Sequence, residues 1–145
     1  MTNRIRVVFA SRTGNTRKVA DAIAQAVGGE LVDVRKSPHC DLSQAGFLFV
    51  GDGVYMGRPS KAMVRFLQGL SVPAGLKAAV FGTYGAQAKQ LDVLARLLEE
   101  KGIEVVDRFA CPGRDWFALG LLKRGRPNQD ELRAAQAFAR RAVGG

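Results

Sequence analysis

Directly behind the first apolar run of the chain stands Ser11-Arg12-Thr13-Gly14-Asn15-Thr16, leading straight into a stretch of helical period. Three hydroxyls, one amide side chain and a glycine are thereby gathered where a helix N-terminus presents unpaired N–H groups and a partial positive charge. Phosphate suits that place. Gly14 lets the backbone curl closely around an anion, and Ser11, Thr13 and Thr16 can donate hydrogen bonds to its oxygens without a metal. A single Ser, Thr or Asn here would be read as an ordinary helix cap. A cluster after a first strand is read as a phosphate loop. Other phosphate chemistries fit less well: neither G-x-x-x-x-G-K-[ST] nor G-x-G-x-x-G follows the strand. Ser11 and Arg12 stand where a phospho-accepting receiver domain needs an acidic pair, and both cysteines, Cys40 and Cys111, lie outside the loop that a cysteine phosphatase would build around its thiol.

The elements that must position this loop are legible from the apolar pattern. Runs rich in branched residues recur at 5–10, 30–34, 46–51, 76–82 and 103–110, each the length of a short strand buried on both faces. Between them Val19, Ala20, Ile23, Ala24 and Val27 follow a helical period that stops at Gly28-Gly29. Ala62, Met63, Phe66, Leu67 and Leu70 repeat it, as do Leu91, Leu94, Leu97 and Leu98 before Gly102, and Leu132, Ala135, Phe138 and Ala142. Only the crossover at 35–45 is too short and polar for a full helix. Five strands alternating with helices predict an α/β doubly wound parallel sheet with helices on both faces. No linker, repeat or low-complexity run interrupts the pattern, so residues 1–145 are read as a single domain.

Segment 111–129 breaks the rhythm, because it is far longer than a usual strand-to-helix connection. It carries Trp116, Phe117, Leu119, Leu121 and Leu122, too apolar for a floppy linker, and reads either as a flap over the end of the sheet or as a lid over a ligand.

With these motifs in place, the sequence resembles the flavodoxin family. VVFASRTGNTRKVADAIA is similar to that family's [ST]-x-T-G-N-T phosphate loop and following helix, and the resemblance covers nearly the whole chain. It implies strand order 2-1-3-4-5 and FMN bound at the carboxyl ends of the strands. Flavodoxin is itself the standing example of that arrangement. The length and the uninterrupted fifth strand resemble the short-chain branch. The resemblance assigns Ser11, Arg12, Thr13, Gly14, Asn15 and Thr16 to the phosphate. It assigns Gly53, Val54, Tyr55, Met56 and Gly57 to one face of the isoalloxazine ring, with Gly57 at the peptide that turns when the flavin is reduced. Glycine suits such a turn, since φ > 0 costs a residue with Cβ about 1–2 kcal/mol more. Gly82, Thr83, Tyr84, Gly85 and Ala86 match the second flavin loop, which bonds the pyrimidine edge. Ala86 stands where some members have Trp, so the outer stack falls to Tyr84, to Trp116 or to nothing.

Nothing resembling a catalytic acid–base pair accompanies these loops. His39 reads as a solvent-facing loop residue, and Cys40 and Cys111 as free structural thiols of a cytoplasmic protein; no catalytic or metal-ligating residue is assigned. The N-terminus lacks the apolar core of a signal peptide, and no apolar run approaches the ~20 residues needed to cross a bilayer, so no membrane insertion is expected.

Charge is the departure. The 145 residues carry 22 Lys+Arg against 13 Asp+Glu, a formal +9, where flavodoxins are typically acidic. Such an excess points first to nucleic acid, but no nucleic-acid motif is recognised and the basic residues are spread along the chain. Arg58, Lys61, Arg65, Arg114, Lys123, Arg124 and Arg126 are expected near the ligand end, where cations stabilise negatively charged reduced flavin. The expectation is an FMN electron carrier that meets redox proteins with acidic docking surfaces. The alternatives are an FMN-dependent oxidoreductase acting on a small molecule such as a quinone, and an FMN-free basic binding module.

Overall fold

The computed structural model describes residues 4–11, 14–37, 42–53, 59–73, 75–83, 88–111 and 129–144. Five runs form strands: β1 (Arg4–Ala10), β2 (Glu30–Asp33), β3 (Ala45–Asp52), β4 (Lys77–Thr83) and β5 (Glu104–Cys111). They make one parallel sheet in the order β2-β1-β3-β4-β5. Helices α1 (Asn15–Val27), α2 (Lys61–Gln68), α3 (Ala88–Glu99) and α4 (Gln129–Gly144) complete the described elements.

Because successive side chains on a strand point to opposite faces, β1 and β3 each feed two cores. Val8, Ala10, Leu48 and Val50 pack with Met63, Phe66 and Leu67 of α2 and with Leu91, Leu94 and Leu98 of α3. Val7, Phe9, Phe47 and Phe49 pack on the other face with Val19, Ala20 and Ile23 of α1 and with Ala135, Phe138 and Ala139 of α4. The second core is the aromatic one. Phe49 meets Phe138 edge to face at 5.8 Å, and Phe109 stacks on Phe138 at 5.1 Å. Gly51 is required there: a Cβ at this position would lie 2.1 Å from the ring of Phe81, its register partner on β4.

Strand bounds fall within a residue or so of those read from the apolar runs. α1 ends where Gly28 takes a left-handed conformation (φ 68°) and donates its N–H to the Ala24 carbonyl. α2 is shorter than its apolar period. Gly69 caps it by donating to the Arg65 and Leu67 carbonyls, so Leu70 leaves the helix yet stays buried in the core. Between β2 and β3 the described residues hold a turn and no helix. Segment 112–128, with Trp116, Arg114, Lys123, Arg124 and Arg126, lies outside the described residues, as do His39 and Cys40. No helix among the described residues is long and apolar enough to cross a membrane.

Candidate functional site

The sheet changes direction at its centre. β1 is followed by α1 on one face and β3 by α2 on the other, so the chain divides around the carboxyl edge and leaves a crevice there. Register puts Ala10, Asp52 and Gly82 side by side in one row across β1, β3 and β4. The three loops singled out in the sequence therefore leave the sheet at one level from three adjacent strands.

The first root is the best defined. Gly14 is the N-cap of α1 with φ 91°, a left-handed conformation that glycine adopts without a Cβ penalty. Its N–H donates to Ser11 Oγ at 2.9 Å, and its carbonyl accepts from the Lys18 N–H at 3.1 Å. A glycine N-cap supplies no side-chain acceptor to the first turn of α1, no acidic residue lies in that turn, and among the described residues nothing beyond its chain neighbours and the helix backbone lies within 4 Å of where a Gly14 Cβ would stand. The donor set is thus backbone N–H groups and hydroxyls around an open helix start, which fits a phosphate group. Thr16 is buried at 2% exposure. Arg17 anchors the turn from outside, its guanidinium 5.6 Å from the centre of the Phe9 ring and 3.9 Å from Asp33 at the end of β2. Arg12 and Thr13 lie outside the described residues, as does the side chain of Asn15.

At the second root, Gly53 follows β3 directly and is half-buried, while Val54, Tyr55, Met56, Gly57 and Arg58 lie outside the described residues. Lys61 is exposed at the start of α2, on the carboxyl side as expected, whereas Arg65, expected beside it, is exposed in the last turn of that helix, because α2 runs away from the carboxyl edge. At the third, Gly82 and Thr83 end β4, and Tyr84, Gly85 and Ala86 lie outside the described residues.

One group that the sequence reading passed over stands between these roots. Asp52 is fully buried (0% exposed), and its two carboxylate oxygens accept the Gly53 N–H at 2.9 Å and the Ser60 N–H at 2.6 Å. Burial pushes its carboxyl up to about 6 from the usual 3.8, against the lowering pull of these hydrogen bonds and of the Arg35 charge. The available signal was an acid closing the apolar run GFLFVGD, with a Ser at the next helix start.

The described cations also gather. Arg35 and Lys36 follow β2, Arg17 and Lys18 open α1, and Lys61 opens α2, all exposed on the carboxyl side. The acids on that side are Asp33, partly buried, Asp52, buried, and Asp130 and Glu131 in the first turn of α4. At the opposite end, the strand starts and the turns leading into them set Arg4, Arg6, Lys77 and Lys101 against Glu30, Glu99, Glu100 and Glu104.

Residues 6–118 match the model of the flavodoxin domain. The chain belongs to the flavodoxin family. Among its relatives is an uncharacterised protein of Methanocaldococcus jannaschii, 27% identical over 133 residues, with 87% of this chain and 88% of that protein covered. The coenzyme F420H2 oxidase of Methanothermobacter marburgensis is 29% identical over 147 residues; 90% of this chain matches 33% of that protein. Among solved structures, a flavodoxin from the domain Archaea superposes with a TM-score of 0.69 at 18% identity, covering 97% of this chain and 96% of that one, a likeness of fold.

Proposed function

We propose that this chain binds FMN across the carboxyl edge of the sheet and shuttles electrons between redox partners, folding as one domain over its whole length. The observation that carries the reading is the start of α1, where left-handed Gly14 caps the helix without a side-chain acceptor, no acid lies in the first turn, and Ser11 stands beside it. Flavin, when bound, supplies the redox chemistry; the protein holds and tunes it. The N–H groups of the first turn, with Ser11, Arg12, Thr13, Asn15 and Thr16, hold the phosphate. Gly53, Val54, Tyr55, Met56 and Gly57 shield one ring face, and Gly82, Thr83, Tyr84, Gly85 and Ala86 bond the pyrimidine edge.

The exposed strip of Arg17, Lys18, Arg35, Lys36 and Lys61 supports docking by an acidic redox protein, the reverse of the polarity usual in flavodoxins. Cations on this rim also favour the negative charge that reduction adds. The deciding experiment is the absorption spectrum of the purified protein before and after addition of FMN. A flavin spectrum retained through gel filtration is expected, and a colourless protein that gains none would leave a basic, flavin-free binding module. Steady-state assays of the flavin-loaded protein with NADH, NADPH and quinones then separate carrier from enzyme. Little turnover is expected without a partner reductase.

A further inference from the structure

Asp52 is the one buried ionisable residue among those described, and it sits where the chain leaves β3 and where it returns. One carboxylate oxygen takes the N–H of Gly53, the first residue of the excursion; the other takes the N–H of Ser60, which ends it. Ser60 is also the N-cap of α2, its Oγ accepting the Met63 N–H at 3.2 Å. A single carboxylate thus fastens both ends of segment 53–59 to each other and to the helix that follows. The two N–H groups are taken by different oxygens of the carboxylate, and a proton on either one turns that oxygen chiefly into a donor and weakens the bond it accepts.

We propose that Asp52 is a proton-sensitive clasp: as carboxylate it holds Gly53, where the chain leaves β3, and Ser60, where it enters α2, to one group, and protonation releases one of the two bonds and weakens flavin binding. The consequence at the ring rests on the FMN reading above; the clasp itself does not. The surroundings leave Asp52 as the titrating group. Its register neighbours on β1 and β4 are Ala10 and Gly82; α2 contributes Ser60, followed by exposed Lys61; the turn after β2 contributes Arg35, whose charge favours the ionised form. Burial brings the titration to about pH 6, inside the range a cell can reach. Asp52 is a positioning residue, acting on flavin only through the segment it ties.

The test combines one flavin-free and one flavin-bound readout. Amide hydrogen exchange of Gly53 and Ser60, corrected for intrinsic rates, should show protection in the wild type that falls as pH drops from 7.5 to 5. In Asp52→Asn, which offers one acceptor oxygen at every pH, protection should be low and flat. Riboflavin is the flavin probe, since FMN's own phosphate titrates near pH 6. Its dissociation constant should rise about three- to tenfold on acidification in the wild type, the loss of one hydrogen bond, and stay level in the variant. Equal protection in both proteins, or a pH dependence that survives in Asp52→Asn, overturns the clasp. Expected exchange with no flavin binding overturns the FMN reading alone; flavin binding with one pH profile in both proteins overturns the link to the ring. Should the variant not fold, the wild-type titration decides by itself: a Gly53 and Ser60 protection that ignores pH between 5 and 7.5 sinks the proposal.

Discussion

The two ends of the sheet are built from the same residue types and do different work with them. At the amino end acids and bases alternate: Glu30 pairs with Arg6, Lys101 reaches the Gln68 carbonyl at 2.6 Å, and Glu99, Glu100 and Glu104 lie among Arg4 and Lys77. At the carboxyl end exposed cations crowd the rim, and an acid is driven into the interior, where it serves two backbone donors. One end closes the domain with acids and bases set in register, Arg6 among them nearly buried. The other brings exposed cations, a glycine helix cap and a costly buried carboxylate to the level where three loops emerge.

The largest effect should come from the phosphate side of the carboxyl end. Thr13→Ala combined with Thr16→Ala removes two hydroxyl donors, and each charge-assisted bond to phosphate is worth about 1.5–3 kcal/mol. FMN affinity, measured by fluorescence quenching, should fall at least a hundredfold while riboflavin affinity hardly moves. Equal losses for the two ligands would mean that the phosphate is elsewhere.

Next comes the pH dependence of stability that Asp52 imposes. Its folded value, about 6, lies above the ordinary 3.8, so between these limits the folded chain binds more protons than the unfolded one. Its stabilising contribution is complete below the unfolded value and is lost as pH rises towards 6, on the order of 3 kcal/mol over the whole window. Urea unfolding between pH 4 and 7 should show this decline superimposed on other titrations, and the difference between wild type and Asp52→Asn should isolate it. Parallel curves for the two proteins would contradict the buried carboxylate.

Reversing Arg35 and Lys36 to Glu should slow association with an acidic redox protein several-fold at low ionic strength, an effect that fades as salt rises. Lys77→Glu and Lys101→Glu, the same charge change at the amino end, should leave the rate nearly unchanged. Stopped-flow electron transfer across a salt series makes the comparison, and equal slowing by both pairs would remove the distinction between the ends. The smallest effect is expected from Arg133→Gln. Arg133 and Asp130 are both largely exposed, and such an i,i+3 ion pair contributes about 0–1 kcal/mol, so the denaturation midpoint should shift little.

How much of this could be read from the residues alone depended on the physics involved. Strands buried on both faces announce themselves as short branched runs, so β1, β3 and β4 were delimited almost to the residue. α2 was overextended because Leu70 keeps the apolar period although Gly69 has already ended the helix; burial and helicity separate there. The phosphate loop was legible because its chemistry is local, six successive residues whose types agree. Asp52 escaped because its meaning is not local. Nothing in the sequence says that the chain comes back to it at Ser60. The rim was legible in part: Lys61 is expected at the ligand end, whereas Arg17, Lys18, Arg35 and Lys36 come from segments far away in sequence that only the winding order of the sheet brings to that side.

The missing side chain at Gly51 reaches further than core packing. The ring of Phe81 lies across the position that a Cβ would take, so the last turns of β3 and β4 share one rigid plate of atoms. One residue beyond Gly51 stands Asp52, and one beyond Phe81 stands Gly82, the roots of the two loops assigned to the flavin ring. A side chain added at Gly51 would therefore have to displace Phe81, and with it disturb the roots of both loops at once.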